Sequence, residues 1–283
     1  PFKPIFGCEM YVARRSMHDK EKDKHDNSGY HLIVLAKNYN GYKNLIKLVS
    51  HAWVDGYYYK PRTDREELEK YHEDLIVCSA CIAGEVPNKI IRGDIEGARE
   101  ACEWYHRVFG DDYYLELQRH EVKDPTLVAN REAYPLQQKA NKVLMQFAKE
   151  YGVKLVCTND CHFEDKETAE AHDHLLCLST NEDLDDPKRM RYSKQEWFKT
   201  RQEMNEVFSD VPEAMANTLE ILDKIETYSI DHGPIMPFFP IPESFGTEEE
   251  WEKKFTEADL YKEFTTDENG LNPLSEEEGK KVI

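Results

Sequence analysis

No run of ~18 apolar residues occurs anywhere in this 283-residue sequence, so no segment is long and apolar enough to cross a bilayer as a helix. No basic stretch leads into an apolar one in the manner of a secretion signal. There is no P-loop, no G-x-G-x-x-G turn and no nucleophile elbow, which removes the commonest phosphate-cradling and serine-hydrolase devices. A closely spaced Asp-x-Asp on a strand, of the kind that holds the two Mg²⁺ ions of polymerases, is also missing. Positive charge is in short supply: 37 Lys+Arg face 56 Asp+Glu, for a formal net charge of −19. A chain so acidic gains no local concentration of DNA or RNA from its own field. The seven cysteines are an odd number at irregular spacing, which disfavours a disulfide scaffold and leaves reduced thiols or metal ligands.

What is present is an alternation of apolar runs and amphipathic stretches. Strands are predicted over 8–13, 31–37, 74–81, 112–118 and 153–160. Helices are predicted over 41–58, 65–72 with Asp64 as N-cap, 93–110 stopping at Gly110, 131–152 and 165–180. Pro135 is expected in the first turn of its helix or at a kink. Such pacing means βαβ units and a parallel sheet of about five strands. Residues 14–30 carry dense mixed charge and read as a solvated, mobile loop. The opening residues, Pro1 to Gly7, run straight into a strand pattern without a Met, as the interior of a domain would, and further units are expected upstream. From about 181 the chain turns polar, then helical over 201–209 and 211–226, with Val211, Met215, Leu219, Leu222 and Ile225 on one face. Residues 231–242 hold four prolines and read as an extended linker. Residues 243–283 carry 13 acids and 5 bases, with a helix expected near 247–264.

Chemistry concentrates in a few places. Cys157-Thr158-Asn159-Asp160-Cys161-His162 directly follows an apolar strand, and in parallel α/β folds the functional loops gather at the C-terminal strand ends. Asp160 and His162 are two apart, so an extended backbone would aim a carboxylate and an imidazole to the same side as a metal corner. Alternatively, Asp160 caps the next helix and His162 simply packs. Cys78-x-x-Cys81 allows a zinc knuckle or redox pair, and the four thiols 78, 81, 157 and 161 allow a structural zinc site, against Cys78 as a small buried apolar residue. Glu9 sits in an apolar strand pattern, which is costly unless the carboxylate is paired, metal-bound or turned to solvent. His31 opens a strand and is either packed or a ligand. His120, after a strand, and His172 and His174 are weaker candidates.

Taken together and in order, KPIFGCEMYVA, HLIVLAKNYNGYKNL, VDGYYYKPR, LIVCSACIAGEVP, YYLELQRHE, LVCTNDCHF, EAHDHLLCLST, LDDPKRMRY and PEAMANTLEI resemble the polymerase-and-histidinol-phosphatase (PHP) domain of bacterial replicative polymerases of the polymerase III alpha-subunit family. The resemblance covers residues 1–230 densely, and 231–283 resembles the entry into the polymerase palm. It implies an α/β fold, a distorted (βα)7 barrel with a parallel-rich sheet and its first βα units missing over 1–180. A helical extension over 181–230 and a linker opening the polymerase core over 231–283 would follow. It also implies up to three metal ions at one barrel mouth. Of nine family ligands, five map onto Glu9, His31, Cys81, Asp160 and His162. The others, from an H-x-H motif, a following acid and a T-D-H segment, would precede residue 1.

Further implications are metal-dependent 3′–5′ exonuclease chemistry where the site is intact and a structural role where it is degenerate. Cys81 favours zinc at one position, while the carboxylates admit manganese or iron. Mg²⁺ belongs to the polymerase core, which is absent here. DNA, a proofreading exonuclease subunit and the sliding clamp are the implied partners, in the cytoplasm and without a membrane. On this reading the chain alone neither synthesises DNA nor holds metal tightly. A free-standing phosphoesterase acting on a small phosphate ester, and a non-enzymatic docking module for a proofreading subunit, are the alternatives.

Overall fold

The computed structural model describes residues 2–122, 128–238, 240, 244, 246–254 and 259. The chain divides into two units, Pro1–Ile230 and Asp231–Ile283. In the second, residues 231–238 have no regular structure and Glu248–Lys254 is helical; the remainder of the helix expected to 264 lies outside the described residues, apart from Asp259.

The first unit is mixed α/β. Its strands are β1 (Gly7–Ala13), β2 (Gly29–Ala36), β3 (Arg62–Thr63), β4 (Leu75–Cys78), β5 (Tyr113–Leu117) and β6 (Lys154–Cys157). They form one sheet in the order β3-β1-β2-β4-β5-β6. Its helices are α1 (Tyr39–Val54), α2 (Arg65–Lys70), α3 (Glu85–Arg92), α4 (Ile95–Phe109), α5 (Val128–Tyr151), α6 (Ala169–Thr180), α7 (Arg201–Val207) and α8 (Pro212–Lys224). The parallel expectation holds for β3 with β1 and for β4, β5 and β6, but β2 runs antiparallel to both its neighbours. No crossover helix lies between β1 and β2, so the chain returns directly beside its predecessor. β2 therefore starts at the end of the sheet where β4, β5 and β6 finish, which decides where the site forms.

The strand period of two separates the sheet faces. Met10, Val12, Tyr30, Leu32, Val34 and Ala36 point to a large core with Leu45 and Leu48 of α1, Ile90 of α3, Ala101 and Tyr105 of α4, and Leu144 and Phe147 of α5. The opposite face has a smaller core: Ile76, Cys78, Tyr114 and Val156 with Ile221 and Ile225, against which Ile33 and Leu35 pack. Ile221 and Ile225 plug one end of that face, and the other end stays open.

Several predicted elements are adjusted. The helix expected over 93–110 is preceded by α3, whose start at Glu85 follows the tight turn at Gly84; a Cβ there would lie 1.9 Å from the Ser79 carbonyl oxygen. α1 stops at Val54, before Asp55-Gly56. Pro135 lies inside α5, not in its first turn, so one i→i−4 bond is missing from that helix. In α8 the buried face runs through Val211, Ala214, Ile221 and Ile225, and Leu219 is exposed. The loop 14–30 is not simply solvated. Asp26 is fully buried, accepts from Arg15 and from the Glu21 N–H, and the buried Arg62 guanidinium donates to the Met17 and Asp19 carbonyls. Burial lowers the Arg62 pKa, with Asp26 and Asp19 opposing. Carbonyl partners at the end of a long side chain fix this segment where sequence alone shows only charge.

Candidate metal centre

The open end of the second sheet face is a cavity of about 510 Å³ whose walls include Glu9, Tyr11, His31, Cys81, Gln118, His120, Asp160, His162, Tyr192 and Glu196. Strand register builds its first wall. Glu9 pairs with Ile33 and His31 with Tyr11, so Glu9 and His31 are diagonal neighbours on one face of an antiparallel pair. The Glu9 carboxylate lies 2.5 Å from His31 Nδ1. Cys81 reaches the same nitrogen from another element, with Sγ at 3.7 Å. Its loop is folded back by the Gly84 turn, and the His31 N–H donates to the Ala83 carbonyl at 3.1 Å. Among the described residues, Glu9, His31 and Cys81 are the one group of three or more His, Cys, Asp or Glu donors lying within 4.8 Å of one another. The His31 pKa is raised by contact with Cys81 and Glu9, and that of Glu9 is lowered by His31. In physical terms, the Glu9 carboxylate and the Cys81 sulfur favour positive charge at this corner. Carboxylate, imidazole and thiol within mutual reach are a donor set that fits a borderline cation such as Zn²⁺.

The second wall follows β6. The strand stops at Cys157, and Asp160 has a left-handed backbone (φ 48°) in place of the extended one expected. Even so, the Asp160 carboxylate and His162 Nδ1 are 4.0 Å apart and both face the cavity. Burial raises the Asp160 pKa, and His162 opposes the rise. Both His162 ring nitrogens are in use: Nδ1–H donates to the Asp160 carbonyl at 2.6 Å, and Nε2 accepts from the Tyr192 hydroxyl at 2.9 Å. His120 is buried. Nε2–H donates to the Asn159 carbonyl at 3.1 Å, Nδ1 accepts from Gln137 at 3.0 Å, and burial lowers its pKa. It braces the residue before Asp160, with no nitrogen left for a ligand. His172 packs its ring 6.1 Å from that of His162, and His174 donates to Glu170 in its own helix. The four thiols do not assemble into a zinc site: Cys78 and Cys157 are buried in strands, and Cys161 bonds the Trp197 carbonyl.

Three residues that the sequence reading passed over complete the cavity. Glu116 of β5 is buried below it. Its carboxylate accepts from the Ala80 N–H and, at 2.8 Å, from the Thr158 hydroxyl, while its own N–H donates to the Ser79 hydroxyl. One side chain thereby ties the loop carrying Cys81, entered through left-handed Ala80, to the loop carrying Asp160. Burial pushes the Glu116 pKa up to about 7 despite those two donors. Glu196 is buried beside His120 at 3.3 Å and accepts from Ser193. The Tyr192 ring lies 4.4 Å from that of His162, tilted by 44°, and its phenol is pushed up to about 12 by burial and by Asp160 and Glu196, so it stays protonated. The signal for Glu116 was the one used for Glu9, an acid inside an apolar strand. Nothing comparable marks Tyr192 in a polar loop.

Residues 2–120 match the PHP domain family. The chain carries a PHP domain. It is 40% identical over 269 residues to the DNA polymerase III subunit alpha of Borreliella burgdorferi, with 93% of this chain and 22% of the relative aligned. The same subunit of Treponema pallidum is 36% identical, with 92% of this chain and 21% of the relative covered. That of Thermus aquaticus is 36% identical, with 93% and 21% covered. The chain thus spans about a fifth of the length of these relatives. The six-stranded, mostly parallel α/β sheet agrees with a PHP barrel-like fold. Among the described residues, no helix is long and apolar enough to cross a membrane.

Proposed function

We propose that this chain is the PHP portion of a bacterial replicative DNA polymerase alpha subunit, and that its cavity is a metal-dependent phosphodiesterase centre of the 3′–5′ exonuclease type. The observation that carries the reading is the convergence of Glu9, His31 and Cys81 at one strand end, facing Asp160 and His162 across a single cavity. These five would hold the metal ions, with Zn²⁺ favoured at Cys81 and Mn²⁺ or Fe admitted by the carboxylates. When bound, such ions lower the pKa of a water ligand and stabilise charge on a phosphoryl oxygen.

The protein's own part is placement. The β1–β2 register sets Glu9 beside His31, and Glu116 fixes the spacing between the Cys81 and Asp160 loops. The Asp160 carbonyl fixes the His162 tautomer, with the proton on Nδ1 and the lone pair on Nε2. His120 stays neutral and holds Asn159. DNA synthesis, Mg²⁺ in the polymerase core, a proofreading subunit and the sliding clamp belong to the whole subunit on this reading, which places it in the cytoplasm. The net charge of −19 gives the docking-module alternative its support, since it suits protein contacts better than DNA contacts.

The test uses the full-length subunit. Mn²⁺- or Zn²⁺-dependent removal of 3′-terminal nucleotides is expected, and Asp160→Ala with His162→Ala should abolish it while leaving polymerase activity and Tm near wild type. Equal exonuclease activity in that variant would refute the catalytic reading and leave the docking module.

A further inference from the structure

The segment after α6 enters the cavity wall under firm control. Arg189 is buried and makes a two-pronged ion pair with Asp173 of α6, both bonds 2.7 Å long. The same guanidinium donates to the carbonyls of Leu184 and Met190. Three residues beyond this anchor, Tyr192 is wedged among two imidazoles, 4.4 Å from His162 and 5.2 Å from His172 by ring centroids. With Nδ1–H of His162 committed to the Asp160 carbonyl, Nε2 of the neutral ring carries the lone pair, and only the phenol O–H can donate to it. That lone pair is also the one a cation needs. The acids around the phenol, Asp160, Glu196 and Glu9, are acceptors that cannot replace it as donor to Nε2.

We propose that Tyr192 is a positioning residue that latches His162. Its hydroxyl caps the imidazole, is displaced when His162 takes a cation, and then donates to an oxygen of the substrate phosphate. The inference rests on the metal-centre reading above and extends it to a residue outside the ligand set. It has an unusual sign. Removing a ligand or a fold support weakens metal binding, whereas removing a competing donor strengthens it. Tyr192→Phe keeps the ring packed between the imidazoles and deletes only the hydroxyl.

Calorimetric titration of the full-length subunit with Zn²⁺ tests the latch. Tyr192→Phe is expected to bind roughly two- to tenfold more tightly than wild type, the range one net hydrogen bond supplies. The gain should vanish when Tyr192→Phe is compared with its parent in a His162→Ala background, as a coupling through that one nitrogen requires. Unchanged or weaker binding in Tyr192→Phe, or a gain that survives in the His162→Ala background, overturns the latch alone. Failure of the full-length wild type and of its Tyr192→Phe variant to take up Zn²⁺ overturns the metal-centre reading and the latch together. The Zn²⁺-loaded proteins are then titrated with inorganic phosphate. A several-fold loss of phosphate affinity in Tyr192→Phe is expected, and equal affinity overturns the phosphate half of the proposal.

Discussion

The two walls of the cavity are built on different principles. On the β1–β2–β4 wall, Glu9, His31 and Cys81 converge with donors aimed at one another, and His31 Nδ1 is approached by both partners. On the β6 wall, each group already has a protein partner: His162 is held by Asp160 and Tyr192, and His120 by Asn159 and Gln137. Strand register produces the first wall, so it exists as soon as the sheet forms. The second is assembled mostly from the segment between β6 and α7, with His120 from just after β5. There an isolated bridge, Phe163 to Trp197, and a few backbone bonds such as His162 N–H to the Glu196 carbonyl replace a continuous ladder, and side-chain bonds do the rest. The difference teaches that a ligand's sequence position says where it stands but not whether its lone pair is free.

The largest expected effect tests whether the second wall depends on its anchor. Asp173→Ala leaves the Arg189 guanidinium buried without its partner, and breaking such a pair costs about 3–5 kcal/mol. Much of that loss should appear locally, as faster amide exchange over residues 184–193, with the β1–β2 ladder still protected. Uniform loss of protection across both walls would break the comparison and make the cavity one cooperative block.

Glu116 lies beneath both walls and gives the next effect. A glutamate ordinarily titrates at 4.5, and here the folded state keeps its proton to about 7. The stabilising excess of bound proton is fully present below 4.5 and is lost as the pH rises through 7. For a buried group this amounts to roughly 3 kcal/mol. Glu116→Gln carries no such titration. Its stability relative to wild type, from denaturant midpoints in the presence of a chelator, should therefore climb between about pH 4 and pH 8. A constant difference across that range would show that burial does not raise the Glu116 pKa.

The sequence made the apolar strands and the long helices legible because their periods are local properties. Glu9, His31, Cys81, Asp160 and His162 were found by type, position at strand ends and resemblance, and the structure puts all five on one cavity. The reversed direction of β2 was not legible, since an apolar run reads the same in either direction. The left-handed turn at Asp160 was missed because an aspartate tolerates that conformation without glycine's signature. Tyr192 and the Arg189–Asp173 pair depend on contacts between residues 16 to 30 apart that no short-range pattern encodes. Leu219 shows the opposite error, a helical stripe drawn one position too wide, because its register against β6 is set by packing.

The smallest expected effect concerns the ring edge of Tyr11, which meets the His31 ring at 5.1 Å and 88°. Such a contact contributes about 0.5–1.5 kcal/mol, but His31 is already oriented by Glu9 and Cys81. Tyr11→Leu should therefore lower Zn²⁺ affinity by no more than a few fold in a calorimetric titration. The β1–β2 register survives the substitution, because backbone bonds and the buried Met10 and Val12 set it. A loss of a hundredfold or more would mean that the first wall, like the second, owes its geometry to a neighbouring aromatic ring, and the contrast between strand-built and loop-built walls would disappear.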